Sequence, residues 1–198
     1  MHQIYNSLHN NRIQQQKREL LGQNPVVVWM TGLSGAGKST IATELEKRLV
    51  TDGFITQWLD GDMLREGLTK DLGFTEEDRT ENIRRAAEVA KLFYSNGIIT
   101  ICTFISPMQA MRQQARQIIG DSAFLEVYIN CPLEVCVQRD VKGLYSKALN
   151  GLVVNLSGVD APYEAPYSPW LELHTHYHSV EKCTEQLYQA LLPRIKRS

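Results

Sequence analysis

The residues in this chain best equipped for chemistry are Gly32-Leu33-Ser34-Gly35-Ala36-Gly37-Lys38-Ser39, with Thr40 directly after them. They match a phosphate-binding loop of the Walker A pattern at every required position. Such a loop turns successive backbone N–H groups and a helix N-terminus toward one anion. Glycines at 32, 35 and 37 relieve the steric cost of the turn and let the backbone approach a phosphate. Lys38 supplies a compact positive charge for the β- and γ-phosphates, and the Ser39 hydroxyl is placed to hold Mg²⁺. The flanks have the required character. Pro25 to Met30 is an apolar, strand-like run, and Thr40 to Leu49 has helical spacing. A strand feeding a glycine turn that opens a helix predicts a site for a nucleoside triphosphate.

A second set of candidates follows Leu59, where Asp60-Gly61-Asp62 and Arg65 come at the end of another strand-like run. A carboxylate facing a phosphate loop can hold Mg²⁺ through water or take a proton from an attacking hydroxyl. Asp60 also suits the capping of a helix, and does so better than Asp62. Arg65, Arg79, Arg84 and Arg85 offer planar forks to an anionic acceptor. Neighbours on a helix point about 100° apart, so one of Arg84 and Arg85 faces solvent.

The elements that must position these groups read as alternating strands and helices. Residues 1–24 form a polar extension, helical from Gln14 to Leu21 until Gly22 and Pro25 stop it. Asp52-Gly53 marks a turn before a strand over Phe54–Leu59. Residues 76–96 form a helix capped by Thr75, with Ile83, Ala86, Ala87, Ala90, Phe93 and Tyr94 along one stripe. Ile98 to Phe104 is a continuous apolar strand, as in a parallel sheet buried on both faces. A helix over Met108–Ile119, a strand over Ala123–Asn130 and a helix from Pro132 to Arg139 follow. Residues 140–169, with many Gly and Pro, read as a mobile lid. A strand near Leu171 and a helix over Val180–Leu192 close the chain. The pattern predicts an α/β fold: a doubly wound parallel sheet of the P-loop nucleoside-kinase type, helices on both faces, in a domain over 25–198. The ligand site then lies at the strand carboxyl ends, where the phosphate loop, Asp60 to Asp62, and Ile105-Ser106-Pro107 meet.

Composition narrows the partners. With 21 basic and 22 acidic residues the net charge is −1, so no strong field favours nucleic acid or an anionic membrane. No apolar run approaches a membrane span, and the polar N-terminus lacks a signal-peptide core. Cys102, Cys131, Cys136 and Cys183 have no metal-ligand spacing and read as reduced thiols in a cytoplasmic protein, with Cys102 and Cys131 packed in or beside strands. His174, His176 and His178 alternate in a strand-like stretch, which would put three imidazoles on one face. A surface run is the better account than a metal site.

Several words of this sequence, in this order, resemble the adenylylsulfate kinase (APS kinase) family: Leu59-Asp60-Gly61-Asp62; Asp71-Leu72-Gly73-Phe74; Glu77-Asp78-Arg79 with Glu81-Asn82-Ile83-Arg84-Arg85; Phe104-Ile105-Ser106-Pro107; Gln138-Arg139-Asp140 with Lys142-Gly143-Leu144-Tyr145; and Pro162-Tyr163-Glu164-Ala165-Pro166. The match spans about residues 25–170. The resemblance implies transfer of the ATP γ-phosphoryl group to the 3′-hydroxyl of adenosine 5′-phosphosulfate (APS), giving PAPS in sulfate assimilation. It implies Asp62 as base or metal partner, Arg65, Arg79 and Asn82 on the phosphosulfate and ribose, and Phe74 stacked on the acceptor adenine. Ile105 and Ser106 would line the acceptor pocket, Arg139 would lie against the ATP adenine, and Lys147 would reach the substrates from the lid. Ser106 matches a serine described in that family as a phosphoserine intermediate. Direct in-line transfer is the preferred chemistry, because a P-loop kinase needs only positioning and charge stabilisation. Homodimers are common in that family, although no interface is legible in the sequence.

The chain departs from the family pattern at Met63, where Asn is usual, at Leu149 in place of a lid Arg, and at Leu156 in place of an aromatic. Met108 to Met111 replaces a polar run. Losing one aromatic face of an adenine sandwich removes about 0.5–1.5 kcal/mol, which predicts weaker acceptor binding. Two other functions stand beside the first: a P-loop kinase for another nucleotide-linked acceptor, and a P-loop regulatory ATPase with no acceptor. The second leaves Arg79 and Asn82 without a purpose.

Overall fold

Fully buried strands such as Val27–Thr31 and Ile99–Thr103 need cover on both faces, and with three others they pair into one parallel sheet. The computed structural model describes residues 2–197, with side chains from residue 12 onward. The strands are β1 (Val27–Thr31), β2 (Thr56–Asp60), β3 (Ile99–Thr103), β4 (Phe124–Asn130) and β5 (Leu171–His174), in the order β2-β3-β1-β4-β5. The helices are α1 (His2–Leu21), α2 (Lys38–Thr51), α3 (Gly61–Glu66), α4 (Glu76–Ser95), α5 (Gln109–Ile119), α6 (Leu133–Arg139), α7 (Leu144–Leu149) and α8 (Val180–Ile195). Among the described residues no helix is long and apolar enough to cross a membrane.

The alternation of side chains along β1 divides the interior into two cores. Val28 and Met30 point into one with Ile41, Leu45 and Leu49 of α2 and Leu187 and Leu191 of α8. Val27 and Trp29 point into the other with Ile83, Ala86 and Ala90 of α4 and Met111 and Ala115 of α5. Trp29 packs its ring 4.9 Å from Phe104 and 5.5 Å from Phe124. All five residues of β1, the strand that ends in the phosphate loop, are buried, as are all five of its neighbour β3.

Most boundaries lie within a few residues of those read from the sequence, and four helices differ. The N-terminal helix begins at His2 rather than Gln14. α3 and α7 were not anticipated, because six residues are too few to display a period of 3.6. Local caps build them instead: Asp60 accepts from the Asp62 N–H at 3.0 Å, and the Asp140 carboxylate accepts from the N–H groups of Tyr145 and Ser146. Segment 140–169, read as a lid, therefore contains a helix, in which Tyr145 is buried and its hydroxyl donates to Ser34 O at 2.9 Å. The last helix runs through Pro193 to Ile195.

Residues 1–24 do not end cleanly before the sheet. Gln23 is fully buried and donates to Ile55 O (2.9 Å) and Gly97 O (2.8 Å) while accepting from Ile55 N–H (2.8 Å).

Candidate active site

Because β2, β3 and β1 are neighbours, their carboxyl ends bring three groups of residues to one rim, as expected: the phosphate loop, Asp60 to Arg65, and Phe104 to Pro107. A cavity of about 700 Å³ opens there. Its floor is the loop backbone from Ser34 through Thr40, apart from Ala36, which is buried behind it. Gly32 also lies behind the cavity wall. A Cβ on it would sit 2.6 Å from Ile129 O, so only glycine lets β1 turn so close to β4. Leu33 borders a separate shallow depression with residues 158–163.

Lys38 is buried, and its ammonium donates to Gly32 O (2.8 Å) and Leu33 O (2.7 Å). Burial, and then the nearby charge of Lys142, pull its pKa down to about 8. Next to it, the Ser39 hydroxyl donates to Asp60 Oδ2 at 2.9 Å, and Thr103 donates to the same oxygen at 2.6 Å. Burial alone would raise the Asp60 pKa. Hydrogen bonds from Thr103, the Asp62 N–H and Ser39 outweigh it and hold the carboxyl below its ordinary range. Asp60 thus caps α3, as its sequence position indicated, and also meets the Ser39 hydroxyl. Asp62 lies one step outward, exposed, with its carboxylate paired to the Lys142 ammonium.

The opposite wall comes from α3, α4 and the strap after α7. Arg65 lies over the Phe74 ring at 4.2 Å and donates to Leu72 O and Gly73 O. Arg79 donates to Phe74 O at 3.0 Å, to the Ser157 hydroxyl at 3.3 Å and to Asn155 O. Burial lowers the pKa of both guanidiniums, and Arg65 lowers that of Arg79 further, as expected for two cations sharing a wall. Asn82 is buried, and its side-chain oxygen meets no protein donor among the described residues. Leu156 and Ile105 also line the cavity, while Phe74 stays more than half exposed.

Ser106 is buried with φ of 37°, in the left-handed region that a residue with a Cβ avoids. Its hydroxyl accepts from the Trp29 indole N–H at 3.2 Å. No carboxylate or imidazole hydrogen-bonds it among the described residues. Arg139 lies at the far end, donating to Gly35 O (3.3 Å) and to Thr175 O (2.7 Å), so it braces the phosphate loop against the turn after β5.

Some expected contributors stand elsewhere. Lys147 is exposed on α7 and outside the cavity lining, because Tyr145 takes the buried face and a residue two positions on points about 200° away; Lys142, just before the helix, lines the cavity instead. Arg84 and Arg85 are paired with Glu81, Arg85 also with Asp71, away from the cavity. β5 ends at His174, so His176 and His178 follow in a turn and the three imidazoles do not share a strand face. Lys142 was visible only as part of a sequence word. Thr103, a hydroxyl at a strand end, carried no signal of its own. In sum, five cations and two carboxylates line one cavity, a balance suited to polyanionic ligands.

Comparison with known proteins agrees in sequence and in fold. The family model for adenylylsulphate kinase matches residues 24–174. The adenylyl-sulfate kinase of Clostridium kluyveri is 51% identical over 191 residues, 96% of each chain. That of Bacteroides thetaiotaomicron is 50% identical over 194 residues, 98% of this chain and 96% of the relative. Among solved structures, the Mycobacterium tuberculosis APS kinase CysC in complex with AMPPNP and APS superposes with a TM-score of 0.82 at 40% identity, over 85% of this chain and 98% of that one. With phosphate loop, acidic strand end and arginine wall in one cavity, and this likeness along nearly its whole length, the chain belongs to the adenylylsulphate kinase family.

Proposed function

We propose that this protein transfers the γ-phosphoryl group of ATP to the 3′-hydroxyl of adenosine 5′-phosphosulfate, giving 3′-phosphoadenylyl sulfate and ADP. The observation that carries the reading is the continuity of the cavity. It joins the phosphate loop to a wall of Arg65, Phe74, Arg79 and Asn82, so donor and acceptor fit end to end. The loop amides and Lys38 hold the transferring phosphates. Arg65 and Arg79 receive the acceptor's phosphosulfate, and the free Asn82 oxygen accepts from a ribose hydroxyl or base N–H. Phe74 offers an aromatic face for the adenine, with Leu156 as apolar lining across the cavity.

The acceptor 3′-oxygen attacks the γ-phosphorus, the bond to the ADP oxygen breaks, and the acceptor proton passes to Asp62. Lys142, paired with Asp62 here, follows the charge onto the transferring group. Ser39 and Asp60 form an oxygen-donor pair, a hydroxyl beside an ionised carboxylate, that fits Mg²⁺. Bound there with ATP, Mg²⁺ would neutralise phosphate charge. Direct transfer is favoured over a phosphoserine, because the Ser106 hydroxyl is buried, accepts from Trp29 and has no base beside it. Four buried free thiols suit a reducing cytoplasm.

The test is an acceptor screen with purified protein, ATP and Mg²⁺. APS is expected to be turned over in preference to other nucleotides. Transfer to a different nucleotide with none to APS would replace the acceptor, and ATP hydrolysis without any acceptor would favour a regulatory ATPase.

A further inference from the structure

Arg112 is a buried cation that the transfer chemistry does not use. Its side chain is 4% exposed, within the second core beneath the cavity wall. Nε donates to Glu126 Oε1 on β4 at 2.8 Å. Nη1 donates to Ser106 O at 2.7 Å and to Pro107 O at 3.2 Å. Nη2 donates to Glu164 O at 2.7 Å. One planar fork therefore holds two separate chain segments, and Glu126 holds the fork.

The first segment lines the cavity, and the second follows the strap residues Val153–Ser157 that line it. The first, Ile105 to Pro107, includes Ser106 in its disfavoured left-handed conformation, which persists only when surroundings over-determine it. The second is the end of the strap that carries Leu156. The two are also stitched by Glu164 N–H to Pro107 O (2.8 Å), Gln109 N–H to Glu164 Oε2 (2.6 Å), and Thr31 between Ile105 O (2.7 Å) and the Tyr163 hydroxyl (3.1 Å). Arg112 is the member buried beneath both.

We infer that Arg112, oriented by Glu126, is a positioning residue that locks the Ile105–Pro107 turn and the Tyr163–Ala165 strap into one unit and so sets the acceptor side of the cavity. The inference rests on the acceptor reading above. It predicts a separation of effects, since the phosphate loop has anchors of its own outside the clamp: the Tyr145 hydroxyl on Ser34 O and Arg139 on Gly35 O. Lysine has no planar fork and cannot reproduce the four contacts.

The experiment combines steady-state kinetics with amide hydrogen exchange on Arg112→Lys, Glu126→Gln and Glu164→Ala. Arg112→Lys is expected to raise the KM for APS at least about tenfold, with the KM for ATP within about twofold of wild type. Exchange should quicken together at the Gln109 and Glu164 amides, and not at the Ala36 amide of the phosphate loop. Glu126→Gln keeps an acceptor for Nε–H and should stay within about threefold of wild type. Glu164→Ala loosens the strap from the solvent side and should shift the APS KM and the same two amides, to a smaller extent. Exchange rising uniformly, or equal losses for both substrates, would reduce Arg112 to a core ion-pair residue and overturn the inference. Should Arg112→Lys not fold, an unchanged APS KM together with an unchanged Glu164 amide in Glu164→Ala overturns it instead. If wild type does not phosphorylate APS, the acceptor reading fails while the exchange data still judge the clamp.

Discussion

At the scale of single residues, Lys38 ties structure to a measurable proton. Its pKa of about 8 in the free protein reflects burial and the nearby Lys142. Phosphates favour the charged ammonium, so ATP binding should raise that pKa again. At pH 9 the free protein holds Lys38 mostly neutral, and ATP binding is expected to take up close to one proton. At pH 7 no uptake by Lys38 is expected, and Lys38→Ala should lose both the pH 9 uptake and phosphoryl transfer while keeping its circular dichroism. Calorimetry in buffers of different ionisation enthalpy measures the uptake; equal values at pH 7 and 9 would refute it. Asp62→Asn should lower kcat by at least about 10²-fold, the low end for a positioned base. A change confined to KM would make Asp62 a binding residue. Ser106→Ala is expected to keep reduced activity with no phosphoserine on the path, which rapid-quench labelling from γ-labelled ATP would detect.

At the scale of elements, α4 shows how a helix end becomes part of a site. The Thr75 hydroxyl accepts from the Asp78 N–H at 3.2 Å, and Asp78 in turn accepts from the Gly73 N–H at 3.0 Å. These bonds fix the first turns, which carry Arg79 and Asn82 to the cavity. Thr75→Ala should cost about 1 kcal/mol. For a chain of this size that lowers Tm by about 2–4 °C. Frayed first turns should also weaken APS binding more than ATP binding. Equal affinities for both ligands in the variant, by titration calorimetry, would show that the cap only stabilises the fold. The strong stripe of α4 was legible because twenty residues display the 3.6 period repeatedly. α3 and α7 lay below that resolution, yet they aim Asp62, Arg65 and the Lys142 segment.

At the scale of the whole molecule, Gln23 joins the N-terminal extension to the sheet edge. It bonds the backbone leading into β2 and the turn before β3 from a fully buried position. Gln23→Ala would take the side-chain partner from the buried Gly97 O and from the Ile55 N–H, while Ile55 O keeps the Ile99 N–H, at a cost of about 1–3 kcal/mol. The urea midpoint should fall accordingly while kcat and both KM values hold, since Gln23 is outside the cavity lining. An unchanged midpoint would show that water replaces the side chain freely.

What the sequence alone determined was local. The order of apolar runs specified a doubly wound sheet, and the glycine spacing placed a phosphate loop between β1 and α2. Both signals are carried by residues close together in the chain. The tertiary structure decided among equivalents. Two aspartates three positions or fewer from one strand end differ only in which meets Ser39, and the pairing of β2 with β3 gives that place to Asp60, beside Thr103. Four arginines offered the same fork, and the orientation of α3 and α4 turned Arg65 and Arg79 inward while Glu81 and Asp71 took the others. Lys142 rather than Lys147 faces the cavity because the buried Tyr145 fixes the inner face of the short helix and leaves Lys147 on the outer one. A period tells which residues share a face; only packing between distant segments tells what that face meets.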